Sequence, residues 1–326
     1  MVLENFRRPV RLIPYAIRRA LLNALLDDMV SEAIYGKMRL DIKQSILDND
    51  SVDSLVYLAE RAGIQGFFAK GDWGVFQSTC TDRVIFPCYA KTGSWSKSIV
   101  EIIQLFLKEN GGTYLDIGAN IGLTTVPIAS NPNVFCIAIE PDPTNFANLT
   151  ENVRRNAQHN NIEARQIALL DRRGSVEFSL SKENMGDHRI ASKQDADRAK
   201  INVSAFPLDE VVTSFKGPLA IKMDAQGAEP LIIKGGGKVL NQASFVVLEF
   251  APYMIDRLDG DQNLIYDYIS SFPAVGLVEC CFDDAPVPTS PGEAIVKLRE
   301  AYRQNRLKEH WCIDVYADKT SFLNKL

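Results

Sequence analysis

Long apolar runs, metal-ligand spacings and paired cysteines are all missing from this chain of 326 residues. No stretch of about 20 consecutive apolar residues occurs, so no membrane-spanning helix is expected. The three histidines, His159, His188 and His310, stand at no metal-ligand spacing, and no two cysteines form a C-x-x-C pair; no metal is expected. Cys136, Cys280 and Cys312 sit inside apolar, strand-like runs. That placement predicts buried thiols in a reducing compartment, hence a cytoplasmic protein, rather than a disulfide frame. A strong charge balance is also absent. The net charge of −5 argues against a nucleic-acid backbone as the main partner.

The N-terminus lacks a signal-peptide pattern, because arginines interrupt its apolar stretch. Arg7, Arg8, Arg11, Arg18 and Arg19 make the first 20 residues locally basic. Ile17, Leu21, Ala24 and Leu25 share one helical face. Two readings follow: a helix lying on the inner face of a membrane, or, the favoured one, a helix packed on its own domain with a solvated basic edge.

What the chain does have is a strand, a glycine turn and a helix in succession. Tyr114 and Leu115 end an apolar run, Asp116, Gly118, Asn120 and Gly122 form D-x-G-x-N-x-G, and Leu123–Ala129 opens a helix. Such a unit points backbone N–H groups and a helix N-terminus at a ligand. The next apolar run, Val134–Ile139, ends at Glu140-Pro141-Asp142. A carboxylate there can grip both hydroxyls of a ribose. A nicotinamide dinucleotide would ask for G-x-G-x-x-G, but Asp116 holds the first glycine position and would repel a pyrophosphate. S-adenosyl-L-methionine, with a sulfonium, an amine and no phosphate, is the favoured ligand over a dinucleotide or an empty tight turn. Gly118, Ala119 and Asn120 are expected along its methionine part and Asp116 on its ammonium. Glu140 is expected on the ribose, Pro141 or Asp142 beside the adenine, and Ala168 and Leu169 near the adenine amino group.

Residues 1–95 read as a mainly helical extension, with helices at Pro14–Tyr35, Ile42–Asn49 and Val52–Ala62 and a small β cap that includes a strand over Val84–Tyr89. Ser98–Lys108 has helical spacing, with a Ser98/Glu101 capping box. From there strands and helices alternate. Strands are expected at Tyr114–Ile117, Val134–Glu140, Ala164–Leu170, Leu219–Asp224, Phe245–Phe250, Val275–Phe282 and Trp311–Ala317. Helices are expected at Asn145–Asn156, Leu264–Ser271 and Ala294–Asn305. This order predicts an α/β fold, Rossmann-like, with a mostly parallel seven-stranded sheet covered on both faces and one antiparallel edge. Residues 171–209 form an insertion. Its polar stretch, Ser181–Lys200, has few apolar residues to pack, and is either a substrate-facing lid or a disordered surface loop.

Taken together, D-I-G-A-N-I-G at Asp116–Gly122, E-P-D at Glu140–Asp142, N-M-G-D-H-R-I at Asn184–Ile190, P-L-D-E at Pro207–Glu210, I-K-M-D-A-Q-G-A-E at Ile221–Glu229 and V-V-L-E-F at Val246–Phe250 resemble the FkbM-type S-adenosylmethionine-dependent methyltransferases. The resemblance covers roughly Val84–Ala317 and leaves residues 1–70 outside it. It implies a methyltransferase domain over residues 96–326 and methyl transfer to a hydroxyl oxygen of a sugar, glycan or polyketide-like small molecule. One residue departs from the family pattern: Gln226 stands where a glutamate is usual. That substitution keeps alive a second class of function, a cofactor-binding scaffold without turnover.

Methyl transfer needs the acceptor oxygen oriented on the methyl carbon and a group to receive its proton. Asp224, at the end of the fourth strand, is the first choice of proton acceptor; the alternative is a structural strand-end carboxylate. Lys222 shares its strand face and would pair with a carboxylate. Glu249 either contacts substrate or is a solvated strand-end group. His188, beside Asp187, is a base or sugar ligand, or else a surface loop histidine.

Overall fold

A computed structural model describes residues 66–279 and 285–326. The helices expected before residue 66, and the basic amphipathic stretch, lie outside the described residues. Strands β1 (Gly66–Gly71) and β2 (Gly74–Thr79) form a two-stranded sheet. Helix α1 (Ile85–Thr92) follows, where a strand was expected over Val84–Tyr89. The β-branched and aromatic residues of that run do favour a strand. A buried carboxylate overrides them: Asp82 accepts from Val84 N (3.1 Å), Ile85 N (3.2 Å) and Phe86 N (3.0 Å), satisfying the first-turn donors of a helix. Gly93, with φ 86, ends it in a left-handed cap. Helix α2 (Lys97–Phe106) starts one residue before the expected position, and no Ser98/Glu101 capping box forms; Glu101 instead lies 3.8 Å from Lys97, a turn earlier.

The main sheet then builds up by alternation. Its parts are β3 (Gly112–Ile117), α3 (Thr125–Ile128), β4 (Val134–Ile139), α4 (Pro143–Asn156) and β5 (Ile162–Arg165). Asp142 caps α4 by accepting from Asn145 N at 2.8 Å, with Pro143 in the first turn. The single strand expected over Ala164–Leu170 is in fact two. β5 stays in the main sheet, while β6 (Ala168–Leu169) joins a second sheet with β7 (Gly174–Leu180), β8 (Arg189–Ile190) and β9 (Ala199–Phe206) in the order β6-β9-β7-β8.

After α5 (Leu208–Val211) come β10 (Leu219–Met223), α6 (Glu229–Gly235), α7 (Gly237–Leu240), β11 (Phe245–Phe250), α8 (Pro252–Arg257), α9 (Asn263–Ser270), β12 (Ala274–Glu279), β13 (Val287–Thr289), α10 (Pro291–Asn305) and β14 (Ile313–Asp318). The main sheet runs β13-β12-β14-β11-β10-β3-β4-β5. It has eight strands where seven were expected, the extra one being the short edge strand β13. The antiparallel strand β14 does not lie at the edge: it is threaded between β11 and β12 and pairs antiparallel with both. β3, β4, β5, β10 and β11 are parallel.

Alternate residues of the central strands feed two cores. Leu115, Ile137, Ile221 and Val246 point to one face; Tyr114, Cys136, Ala220 and Val247 point to the other. Both layers are apolar, so these strands read as continuous hydrophobic runs. The chain order reverses direction between β3 and β10, and at such a switch point a crevice opens beyond the carboxyl ends of the strands.

The stretch between β7 and β9 is ordered, and the reason was not its apolar content. Arg189 is 3% exposed and bonds Asp195 (2.9 Å) and Asp187 (2.7 Å); Arg257 bonds Asp195 at 2.7 Å. Met185 and Ile190 are buried beside this network. Cys80, Cys88 and Cys136 are not disulfide-bonded. Cys312 is disulfide-bonded, against the expectation of a free thiol; it sits half-buried just before β14 rather than within the strand. Among the described residues, no helix is long and apolar enough to cross a membrane.

Candidate active site

The glycine turn brings two strand tips into contact. Gly118 (φ 80) lies so near β10 that a Cβ on it would sit 1.9 Å from the carbonyl oxygen of Asp224. Asp224 N in turn donates to Ile117 O at 3.0 Å. Gly118 N and Ala119 N both donate to Ile139 O at 3.0 Å, tying the turn to the tip of β4. Asn120 adopts φ 51, a left-handed conformation that asparagine tolerates better than most residues.

Glu140 closes this end. Its two carboxylate oxygens accept from Asn120 N (2.8 Å) and Asp142 N (2.9 Å). Burial pushes its pKa up to about 8, with Asp142 adding repulsion and the two backbone donors working the other way. The Nδ2 groups of Asn120 and Asn145 both donate to Met185 O at 2.9 Å, which pulls the β7–β9 segment onto the turn. Asn145 Oδ1 is buried and has no partner within the protein.

Asp116 is placed differently from the expectation. It is fully buried and is not on the cavity wall. Its Oδ2 accepts from Thr124 and Thr125 hydroxyls at 2.6 Å each, and its Oδ1 lies 3.7 Å from Lys222 Nζ. It therefore anchors the segment after the turn. Gly122 and Asp142 are likewise behind the wall, the latter occupied as the cap of α4.

At the other end stand the carboxylates of β10 and β11. Asp224 Oδ2 lies 3.4 Å from Lys222 Nζ, and its Oδ1 accepts from Gln226 Nε2 at 2.8 Å. The same amide nitrogen donates to Glu249 Oε2 at 3.2 Å. Burial works against the Lys222 charge, yet Asp224, Asp116 and Glu249 together raise its pKa. Burial also raises Glu249 well above the usual carboxylate range, with Asp224, Glu229 and Asp314 adding repulsion. Gln226 sits at φ 53, turning its side chain between the two acids. His188 Nδ1 accepts from Ser181 N at 2.9 Å, and burial holds its pKa below the usual histidine value. The neutral ring therefore carries its proton on Nε2.

One cavity of about 390 Å³ joins the two ends. Of the residues expected around a cofactor, Gly118, Ala119, Asn120, Glu140, Pro141, Ala168 and Leu169 line it, and so do Asp224, Glu249 and His188. Several other wall residues carry no signal in the sequence: Trp95, Asn145, Trp311 and Glu309. Each lies in a loop, or on a helix, whose neighbours only the tertiary fold supplies. Asn184–His188 did appear as a motif, and its place on the wall explains the run. Among the described residues, no group of three or more His, Cys, Asp or Glu side chains is arranged to hold a metal ion.

Residues 116–274 match the model of the Methyltransferase FkbM domain. That stretch of the chain is thus similar to an FkbM methyltransferase domain. S-adenosyl-L-methionine is the cofactor of such a domain, and the cavity fits that molecule: a carboxylate at the tip of β4, an unpartnered Asn145 oxygen, and a lysine at the glycine turn, Lys222, that is spent on Gly118 O, Asp224 and Asp116. The hexuronic acid methyltransferase AglP of Haloferax volcanii is 28% identical over 154 residues, 46% of this chain and 61% of the relative. The chain thus spans less than two thirds of that relative's length. Among solved structures, an O-methyltransferase from Bacillus cereus in complex with SAH is 13% identical, with a TM-score of 0.37, covering 69% of this chain and 83% of the other. TYW2 of M. jannaschii in complex with AdoMet is also 13% identical, with a TM-score of 0.35 over 78% and 85%. None of these superposes closely.

Proposed function

We propose that the FkbM methyltransferase domain moves the methyl group of S-adenosyl-L-methionine to a hydroxyl oxygen of a carbohydrate or glycolipid-like acceptor. The observation that carries this reading is the contact between Gly118 and the Asp224 backbone. It sets a carboxylate directly beside the glycine turn, where the turn's ligand and a second molecule would meet in one cavity. The cofactor, when bound, supplies an electrophilic methyl group on a sulfonium.

The chain's own residues do the rest. Glu140 binds the ribose hydroxyls, Asn120 and Asn145 hold the turn closed on the β7–β9 segment, and Ala168 and Leu169 face the adenine. Asp224 accepts the proton of the acceptor hydroxyl as its oxygen becomes nucleophilic. Lys222 keeps that carboxylate oriented, and Gln226 fixes its second oxygen. His188, with its proton on Nε2, donates to an acceptor oxygen. An alcohol is a poor nucleophile at neutral pH, so a positioned carboxylate matters more than it would for an amine. The sugar class of acceptor is supported by the hexuronic acid methyltransferase relative and by Trp95 and Trp311 on the wall, whose flat faces suit the C–H face of a pyranose.

Calorimetric titration of the purified full chain with S-adenosyl-L-methionine, S-adenosylhomocysteine and NAD tests the cofactor. Micromolar binding of the two adenosyl compounds and none of NAD is expected. Formation of S-adenosylhomocysteine is then followed over a panel of glycosides and of macrolide alcohols. Turnover confined to the macrolides would replace the carbohydrate reading by a small natural product. Cofactor binding with no turnover on any acceptor would leave a scaffold.

A further inference from the structure

The turn that carries Asp224 is strained, and a buried side chain outside the cavity holds it. Between β10 and α6 the chain runs Asp224-Ala225-Gln226-Gly227-Ala228, with positive φ at two successive residues, 53 at Gln226 and 96 at Gly227. Glycine adopts such backbone freely; a glutamine does so only where its surroundings enforce it. A Cβ on Gly227 would lie 2.2 Å from Met254 O, so α8 packs hard against the turn. Arg257 of the same helix donates to Gln226 O at 3.3 Å. Glu229, the first residue of α6, reaches back over the turn, and its Oε1 accepts from Ala225 N at 2.7 Å.

Glu229 is fully buried, is absent from the cavity wall, and leaves its Oε2 without a partner in the protein. Burying a carboxyl group is costly, and nothing in α6 itself calls for it, because the bond goes to the turn. What the turn presents to the cavity is the Gln226 amide, whose Nε2 donates to Asp224 Oδ1 at 2.8 Å and to Glu249 Oε2 at 3.2 Å. Relaxing Gln226 to an ordinary negative φ would swing that amide off both acids.

Resting on the methyl-transfer reading above, we propose that Glu229 is a positioning residue for that reaction: by holding Ala225 N it keeps Gln226 in its left-handed conformation, and so keeps the amide bridge that orients Asp224 towards the acceptor hydroxyl. Glu229 lines no part of the cavity, so its reach matters and its charge does not. A displacement of about 1 Å at a reacting group can cost about 10²-fold in rate, so a modest slackening of the turn is enough to be measured. Burial raises the pKa of Glu229 to about 7, and near neutrality the uncharged acid is well populated. A glutamine matches that acid in length and keeps an acceptor oxygen.

Two substitutions therefore set reach against charge. Glu229→Gln keeps the length and loses the charge; Glu229→Asp keeps the charge and stops one carbon short of Ala225 N. Both are assayed as the full chain with S-adenosyl-L-methionine and whichever acceptor of the panel above the wild-type chain methylates. Glu229→Gln should hold kcat within about threefold of wild type, and Glu229→Asp should lower it by about tenfold or more. Acceptor KM and S-adenosylhomocysteine affinity should move far less than kcat in either variant. Gln226→Ala should lose as much as Glu229→Asp, and the double variant no more than either alone, because both act through one amide. Glu229→Asp at the wild-type rate or above Glu229→Gln, or losses that multiply in the double variant, would overturn the inference. So would loss of folding in Glu229→Asp, or a fall shared by KM and cofactor affinity, which are the marks of a merely structural role. No transfer by the wild-type chain to any acceptor would overturn the methyl-transfer reading itself, and this inference with it.

Discussion

Glu249 of β11 stands directly opposite Asp314 of β14 in the antiparallel register, so two carboxylates face each other across one pair of strands. Like charges in that arrangement are unfavourable, which favours the protonated form of the pair. Burial first, then Asp224, raises Asp314 to about 7, and the same two causes raise Glu249 well above the usual carboxylate range. The linkage sign follows. Both folded-state values exceed the unfolded ones near 4, so the native state binds more protons, and stability falls as pH climbs from about 4 through about 7. Glu229, raised by burial to about 7, acts in the same direction. Melting temperature is therefore expected to fall between pH 5 and pH 8. Asp314→Asn should recover part of that fall at pH 8 and change little at pH 5. Parallel melting curves for the two proteins would disprove the pairing.

Glu140, raised to about 8, adds to that fall in stability and gives a second pH effect, on binding. The protein without ligand holds Glu140 protonated to about pH 8. A ribose and a cationic cofactor favour the carboxylate, so binding releases a proton. Affinity should rise with pH between about 6 and 8 and then level off. Calorimetry in two buffers of different ionisation enthalpy reads the proton directly. Glu140→Ala should abolish its release and weaken binding by about 2–4 kcal/mol, the loss of two charge-assisted hydrogen bonds. Unchanged affinity would remove Glu140 from the ribose.

The alternation of strands and helices, the switch point and the acids at its mouth were all legible in the sequence, because buried parallel strands read as apolar runs and strand-end carboxylates follow them. Two misreadings and one alternative left open have particular causes. Val84–Tyr89 has strand composition, but a single side chain, Asp82, caps it into a helix. Ala164–Leu170 is one apolar run, but it serves two sheets. Ser181–Lys200 reads from its polar composition as either a lid or a disordered loop, and Arg189 and Arg257, converging on Asp195, hold it in place. The first turns on a carboxylate two to four residues away, the others on partners distant in sequence, β9 for Ala168–Leu169 and Arg257 for Asp195. The placing of Asp116 behind the cavity wall, held by Thr124 and Thr125 with Lys222 at 3.7 Å, is likewise not readable from its motif position.

That convergence on Asp195 is itself testable. Asp195 is 2% exposed and accepts from Arg189, Arg257 and Ser192. Removing one member of a buried ionic cluster leaves the others uncompensated, which costs about 3–5 kcal/mol. Asp195→Ala should therefore lower the denaturant midpoint steeply, and proteolysis should then cut between Ser181 and Lys200. An unchanged midpoint would mean that Met185 and Ile190 suffice to hold the segment.

Gly118 tests the contact on which the active-site reading depends. Its φ of 80 and the Asp224 carbonyl at 1.9 Å from a built Cβ leave no room for a side chain on backbone that cannot yield cheaply. Gly118→Ala should push the tips of β3 and β10 apart, cost about 1–3 kcal/mol of stability in backbone strain alone, and impair both cofactor binding and transfer.

Asp224→Asn separates the chemistry from that geometry. The amide keeps the size of the carboxylate and can still accept from Gln226 Nε2, so the fold around Gly118 should stand. Lys222 loses one of its two close carboxylates but keeps Asp116, so its charge remains compensated. Cofactor affinity should change by less than threefold. Transfer should slow by about 10²–10⁴-fold, the range for loss of a positioned proton acceptor, and the acceptor KM should move far less than kcat. Raising the pH should not restore the rate, since the acceptor alcohol ionises far above the working range. If Asp224→Asn turns over at the wild-type rate, the proton goes elsewhere, and Glu249, 3.2 Å from the same amide nitrogen, becomes the group to replace next.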